Sequence, residues 1–309
     1  MDRRDFKGYG DAPPDVQWPD GAQLAVSLVV NVEEGAELSR ADGDERNESI
    51  HEIREEVVDA VDLCMETHFT YGMRAGYHRI ADVLDAYGAR ATFSCCGRAA
   101  QRSPWLVRDA VMRGHEASCH GWRWETMARK TREDEQEIIL RTHAAVSAAA
   151  QAPVVGWHTR STSSLDTRPL LIEHGGFLYD SDAYDDDIPY VVDVGGTDHI
   201  VLPYAFDTND MRFQPGGGFI QASDFSTYCI GGFERLWREG EKAPRMMSVG
   251  LHLRTIGRPA RVGGLEALLD AMINRGGVWI ASRAEIARHW RKAIGLGAWA
   301  GDAEGPGAS

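Results

Sequence analysis

A parallel α/β sheet rolled into a barrel, regular or distorted, is the fold this sequence predicts. Three observations carry it. Short apolar segments bounded by glycine or polar residues recur along the chain, helix-forming segments separate them, and about eight strand candidates fall within 309 residues. The candidates are 24–30, 91–95, 116–119, 154–157, 177–180, 200–203, 247–251 and 278–281. Ahead of the first lies a polar stretch with Pro13, Pro14 and Pro19, read as an irregular arm over 1–20. Ser103 before Pro104 predicts a helix start, and Gly114 its end. Thr131 opens a helix whose first turn carries Glu133, Asp134 and Glu135, which suits the helix dipole. Gly88, Gly175 and Gly276 read as helix stops, and Ser282 with Glu285 as a capping box. The glycine run after Pro215 is a loop, because no Lys-Ser/Thr follows it as a phosphate cradle needs. The expected organisation is an arm over 1–20, one catalytic barrel domain over 21–292, and a flexible tail over 293–309.

Composition narrows the function. Hydrophobic residues make up 43% and charged residues 26%, an ordinary soluble balance. The net charge of -14 disfavours nucleic acid and anionic membranes as partners. The five cysteines (Cys64, Cys95, Cys96, Cys119 and Cys229) include no CxxC and read as reduced thiols. The first residues, MDRRDFKGYGDAPPD, lack an apolar core for a signal peptide, so a cytoplasmic location is expected.

The strand ends carry the chemistry. Glu33 and Glu34 follow the first strand, His120 the third, Trp157 and His158 the fourth, Asp180 and Asp182 the fifth; Asp207 comes shortly after the sixth, and His252 follows the seventh. In a parallel barrel these ends meet on one face, where barrel active sites lie. Adjacent Glu33 and Glu34 repel each other, so one is a candidate base with a raised pKa. His120 is a better functional candidate than His115, which reads as structural. His252 is either a core histidine or an acid for a leaving group. The acidic run from Asp180 to Asp187 reads as a solvated loop. Asp207, Asn209 and Asp210 read equally as orienting groups or turn caps. Trp122, Trp124 and Trp157 are core or pocket wall.

The segments VNVEEGAE (30–37), YGMRAGYHRIADVLDAYGARATF (71–93), GHEASCHGWRWE (114–125), FLYDSDAYDDDIPY (177–190), YAFDTNDMRF (204–213) and MMSVGLHLRTIGRPAR (246–261) together resemble the polysaccharide deacetylase superfamily. Within it they look most like its cofactor-independent allantoinases. The resemblance implies a deformed (β/α) barrel of the NodB homology type. Family members hold a zinc-like metal with an aspartate and two histidines four apart. Carried onto this chain, the family's aspartate pair falls on the Val30–Glu34 segment, which offers Asn31, Glu33 and Glu34 instead, the first histidine on His120, the second on Trp124, and the late acid on His252. Indole has no lone pair for a metal. The expected metal-ligand set is therefore none, with no essential cofactor, although a Glu-His pair is compatible with a weakly held divalent ion such as zinc. The allantoinases tend to carry a glycine before the arginine of their fourth-strand motif, which this chain lacks between Thr159 and Arg160.

The resemblance implies hydrolysis of a C–N bond in a small cyclic ureide or imide. Glu33 or Glu34 serves as base, His252 as acid, and His120 fixes water or substrate. Arg74, Trp124, Trp157, His158 and Asp207 are the expected substrate contacts, with Arg74 as an oxyanion donor. A homo-oligomer, as large as a tetramer, is implied. Two other readings stay open: a metal-dependent glycan or peptidoglycan N-deacetylase, and a non-catalytic binding protein on the same fold.

Overall fold

The computed structural model describes residues 4–50, 55–160 and 162–304. Its centre is β1 (Leu24–Val32), buried along its whole length as a strand covered on both faces must be. β2 (Thr92–Cys95), β3 (Glu116–Cys119), β4 (Gly156–Trp157) and β5 (Tyr179–Asp180) follow on one side, all parallel. A hairpin of β6 (Tyr190–Val194) and β7 (Thr197–Val201) extends that edge. On the other side β1 pairs with β8 (Arg245–His252) over its length. Finally β9 (Val278–Ile280) takes the start of β1, below the point where β2 begins to pair.

All eight predicted strands form. The sheet is the deformed barrel expected, a curled half-barrel of nine strands among the described residues. The hairpin that adds β6, a strand not among the predicted eight, turns at Gly195 and Gly196, and both glycines hold positive φ. The seam between β8 and the hairpin side is closed by irregular chain. The Thr208 hydroxyl donates to the Ser248 carbonyl at 2.6 Å, and the Gly250 N–H donates to the Thr208 carbonyl at 2.9 Å.

Helices cover the outer face. In order they are α1 (Leu63–Tyr71), α2 (Tyr77–Ala86), α3 (Gly97–Arg102), α4 (Pro104–Met112), α5 (Arg132–Ala150), α6 (Thr167–His174), α7 (Ala222–Glu239), α8 (Pro259–Arg275) and α9 (Arg283–Ala293). Two predicted caps are present: Thr131 accepts from the Asp134 N–H, and Ser282 with Glu285 forms the capping box, whereas Ser103 precedes α4 without a side-chain capping bond. The arm and tail are less free than expected. Val16 and Trp18 are buried, and Trp18 lies 5.7 Å from Trp290 of α9. Trp299 packs on the same cluster, and Arg288 pairs with Asp302 at 2.8 Å. The ends of both segments, 1–3 and 305–309, lie outside the described residues.

Inside the curl the packing is polar. Arg283, the first residue of α9, is fully buried among hydroxyls and carbonyls: it donates to Ser181, Ser248 and Ser27 at 2.8, 2.9 and 3.2 Å and to the carbonyls of Leu202 and Pro203. These bonds join both sides of the seam to the barrel floor.

A π-helical turn, Gly72–Gly76, links α1 to α2 and presses on the strand ends. A Cβ at Gly72 would overlap the Glu34 carboxylate, and one at Gly76 would overlap the Leu253 carbonyl just after β8. Gly→Ala inside a helix ordinarily stabilises by about 1 kcal/mol. Here the backbone in contact cannot give way, so Gly76→Ala is expected to destabilise by about 1–3 kcal/mol, read as a lowered denaturation midpoint.

Candidate active site

β1 alternates, so Asn31 and Glu33 face the interior that His252 also faces from its register position opposite Asn31. The chain after β3 and β4 delivers His120 and His158 to the same end. Glu33, Glu34, His120 and His252 thus come together as predicted, all buried. Glu33 Oε1 lies 3.4 Å from His120 Nε2 and 3.7 Å from His252 Nε2. Arg254, which sequence reasoning missed, reaches Glu33 Oε2 at 2.8 Å and Glu34 Oε1 at 3.5 Å. It lies two residues beyond His252, and that spacing was the available signal.

The two glutamates are different acids. Burial raises Glu33, but Arg254, His252 and His120 outweigh it and hold the carboxyl well below its usual range. Glu34 is pushed up to about 7, chiefly by burial, with the Glu33 charge adding and Arg254 opposing. Its oxygens accept the backbone N–H groups of Glu33 at 3.1 Å and Arg254 at 3.2 Å. Glu34 is therefore bound into the wall, and Glu33 is the carboxylate between the imidazoles.

His252 is oriented by Asp210, not Asp207. Its Nδ1 donates to Asp210 Oδ1 at 2.6 Å, while Asp210 Oδ2 accepts the N–H groups of His252 and Ile256 at 2.8 and 3.0 Å. Burial opposes a charged imidazole here, but Asp210 and Glu33 prevail and raise its pKa. Asn209 accepts from the Met211 N–H, and the turn this begins carries Asp210 inward while Asp207 stays exposed. His120 Nδ1 donates to the His158 carbonyl at 2.8 Å, which turns its Nε2 toward Glu33.

The other expected contacts divide. Trp124 is half-buried, with Arg160 stacked on its ring at 3.6 Å and Arg254 at 5.3 Å. His158 lies beside His120, ring centroids 4.8 Å apart. Trp157 is fully buried in the outer core against Phe177, because strand alternation turns it away from the side His158 faces. Arg74 is exposed and lines a separate cleft of about 490 Å³ behind Glu34, with Glu37, Arg102 and Trp105. The acidic run also divides. Asp180 is fully buried and paired with Arg168 and His199, and Asp182 accepts from Thr159; Asp185 and Asp187 are exposed.

The residues present do not fit the family's metal. Trp124 offers no ligand, one Glu33 oxygen is already held by a guanidinium, and no three His, Cys, Asp or Glu side chains among the described residues are grouped to hold an ion.

Removing Arg254 as Arg254→Leu leaves two buried carboxylates without their counter-charge. The expected cost is about 3–5 kcal/mol, measured by denaturant titration. In Asp210→Asn the His252 titration midpoint should fall, because the carboxylate that favours the imidazolium is gone; ring-proton NMR reads this directly.

With this geometry in view, comparison with known proteins is specific. A family model described as polysaccharide deacetylase matches residues 62–172. The "Putative polysaccharide deacetylase" of Schizosaccharomyces pombe is 33% identical over 93% of this chain and 96% of its own. A crystal structure described as a probable polysaccharide deacetylase from Pseudomonas aeruginosa PAO1 is 38% identical, covers 94% of this chain and 98% of that one, and superposes with a TM-score of 0.89. The crystal structure of the PuuE allantoinase has the same identity and coverage, with a TM-score of 0.90. The sequence relationship, the NodB-type half-barrel and the site at its strand ends agree: this chain belongs to the polysaccharide deacetylase family.

Proposed function

We propose that this protein hydrolyses a C–N amide bond in a small cyclic ureide or imide, by acid–base catalysis without an essential metal. The observation that carries the reading is Glu33 held between two imidazoles with Arg254 on its second oxygen. The similarity to the PuuE allantoinase over nearly the whole chain supports the substrate class.

In this reaction the attacking water donates an O–H to Glu33 Oε1 and is fixed by His120 Nε2, which lies 3.4 Å from that oxygen. Glu33 takes the proton as the oxygen attacks the carbonyl carbon. His252, whose protonated form Asp210 favours, gives its Nε2 proton to the leaving nitrogen as the C–N bond breaks. The low pKa of Glu33 makes it a modest base, but it stays ionised across the neutral range. General acid–base assistance of this kind contributes roughly 10²–10⁴-fold. Trp124, stiffened by Arg160, offers an aromatic face beside the site.

His252 acts as acid only while protonated. Activity should therefore be present below its raised pKa and decline as pH rises through it. Chelator-stripped protein is expected to open allantoin or a simple cyclic imide, and Glu33→Gln or His252→Ala to lower kcat by at least about a hundredfold. Turnover that appears only when zinc is restored would overturn the metal-free reading in favour of a deacetylase. Undiminished turnover in both variants would remove Glu33 and His252 from the mechanism.

A further inference from the structure

Beside Glu33 and His252, three buried atoms lack a hydrogen-bond partner: Asn31 Oδ1 and both ring nitrogens of His158. The Asn31 amide is held one way round. Its Nδ2 donates to the Leu251 carbonyl at 3.2 Å and to the Tyr204 hydroxyl at 3.0 Å, so Oδ1 is the free end. The Tyr204 oxygen also accepts from Asn209 Nδ2 at 3.2 Å, and Asn209 is locked by accepting the Met211 N–H through its own oxygen. With both N–H groups pointing at it, the hydroxyl keeps its proton for another acceptor, and none among the described residues takes it. Burial holds the phenol above its ordinary range, so the proton is present.

These groups sit around the proposed reaction centre. Asn31 is in register with His252 and faces the same way as Glu33. The His158 ring lies 4.5 Å from that of Tyr204 and 4.8 Å from that of His120. A Cβ at Gly250 would overlap the Tyr204 hydroxyl, so the strand leaves room for this phenol.

We propose that Tyr204 and Asn31 together read a cis amide: the Tyr204 hydroxyl donates to the carbonyl oxygen under attack, and Asn31 Oδ1 accepts the N–H of the bond to be broken. In a small ring the C=O and N–H of an amide lie on the same side, where a neighbouring donor and acceptor meet both. An open acetamido group is trans, so its two groups point opposite ways and only one is met. As the water oxygen bonds to carbon, charge moves onto the carbonyl oxygen and the bond from Tyr204 strengthens. The electrons of the C–N bond go to nitrogen, which takes the proton of His252 and keeps its N–H on Asn31. This assignment rests on the ring-hydrolase reading above and deepens it.

The test compares succinimide with N-methylsuccinimide. Wild-type protein should favour succinimide by about a hundredfold or more in kcat/KM, since methylation leaves Asn31 Oδ1 buried and unpaired. In Asn31→Ala the preference should shrink to within about tenfold, through lost rate on succinimide and room for the methyl group. Tyr204→Phe should lower kcat on succinimide by about 10²-fold without moving the alkaline limb set by His252. Equal wild-type rates on the two imides overturn the assignment whether or not the variants fold. An unchanged preference in folded Asn31→Ala, or full kcat in folded Tyr204→Phe, overturns it as well. If wild-type protein opens neither succinimide nor allantoin, the ring-hydrolase reading fails first and takes this assignment with it.

Discussion

Two neighbouring carboxylates taken out of water repel each other and each lose their hydration, so Glu33 and Glu34 exist as a buried pair only because Arg254 stands between them. Much of the site can be traced to that guanidinium. It is carried by the turn after β8, and its flat face packs on Phe69 at 4.6 Å and near Trp124. It holds one Glu33 oxygen and turns the other toward the two histidines. It also divides the labour of the pair: the glutamate it grips more closely is held ionised, while the one bound by backbone amides rises to about 7.

The central sheet was legible because buried parallel strands are written as short apolar runs, and β1 through β3 end within two residues of expectation. The hairpin was not read, although Gly195-Gly196 between two β-branched segments is a strong turn signal. The alternation of strands and helices set the expectation of another crossover and masked it. Arg283 was invisible for a different reason. At the first position of a capped helix an arginine looks like a solvated residue, and only the curl of the sheet decides that this one points into the barrel.

In the site itself, type and position were readable where strand ends alone determine direction, as for Glu33, His120 and His252. The errors came from treating neighbours as equivalent. Trp157 adjoins His158, yet alternation turns successive side chains to opposite faces. Asp207 and Asp210 lie three apart, and the turn begun by Asn209 selects the second. Arg254 shares the local spacing of His252, but its carboxylate partners are some 220 residues earlier in the chain. Tyr204 was read only as part of a family segment. Its significance lies in two amide groups that aim their N–H bonds at one oxygen, a relation no linear pattern expresses.

The place of Arg283 bears on how the chain reaches this state. The hydroxyls and carbonyls that line the barrel floor come from β1, β5, β8 and the seam, yet the group that satisfies them arrives with the last helix. Strands that pair earlier in the chain leave these groups without their guanidinium partner until α9 docks. Closure is then a late, long-range event, of the kind that slows folding and prolongs exposure of incomplete surfaces. A single arginine at the start of α9 thus ties completion of the half-barrel's polar interior to the docking of a helix that follows every strand of the sheet in the chain.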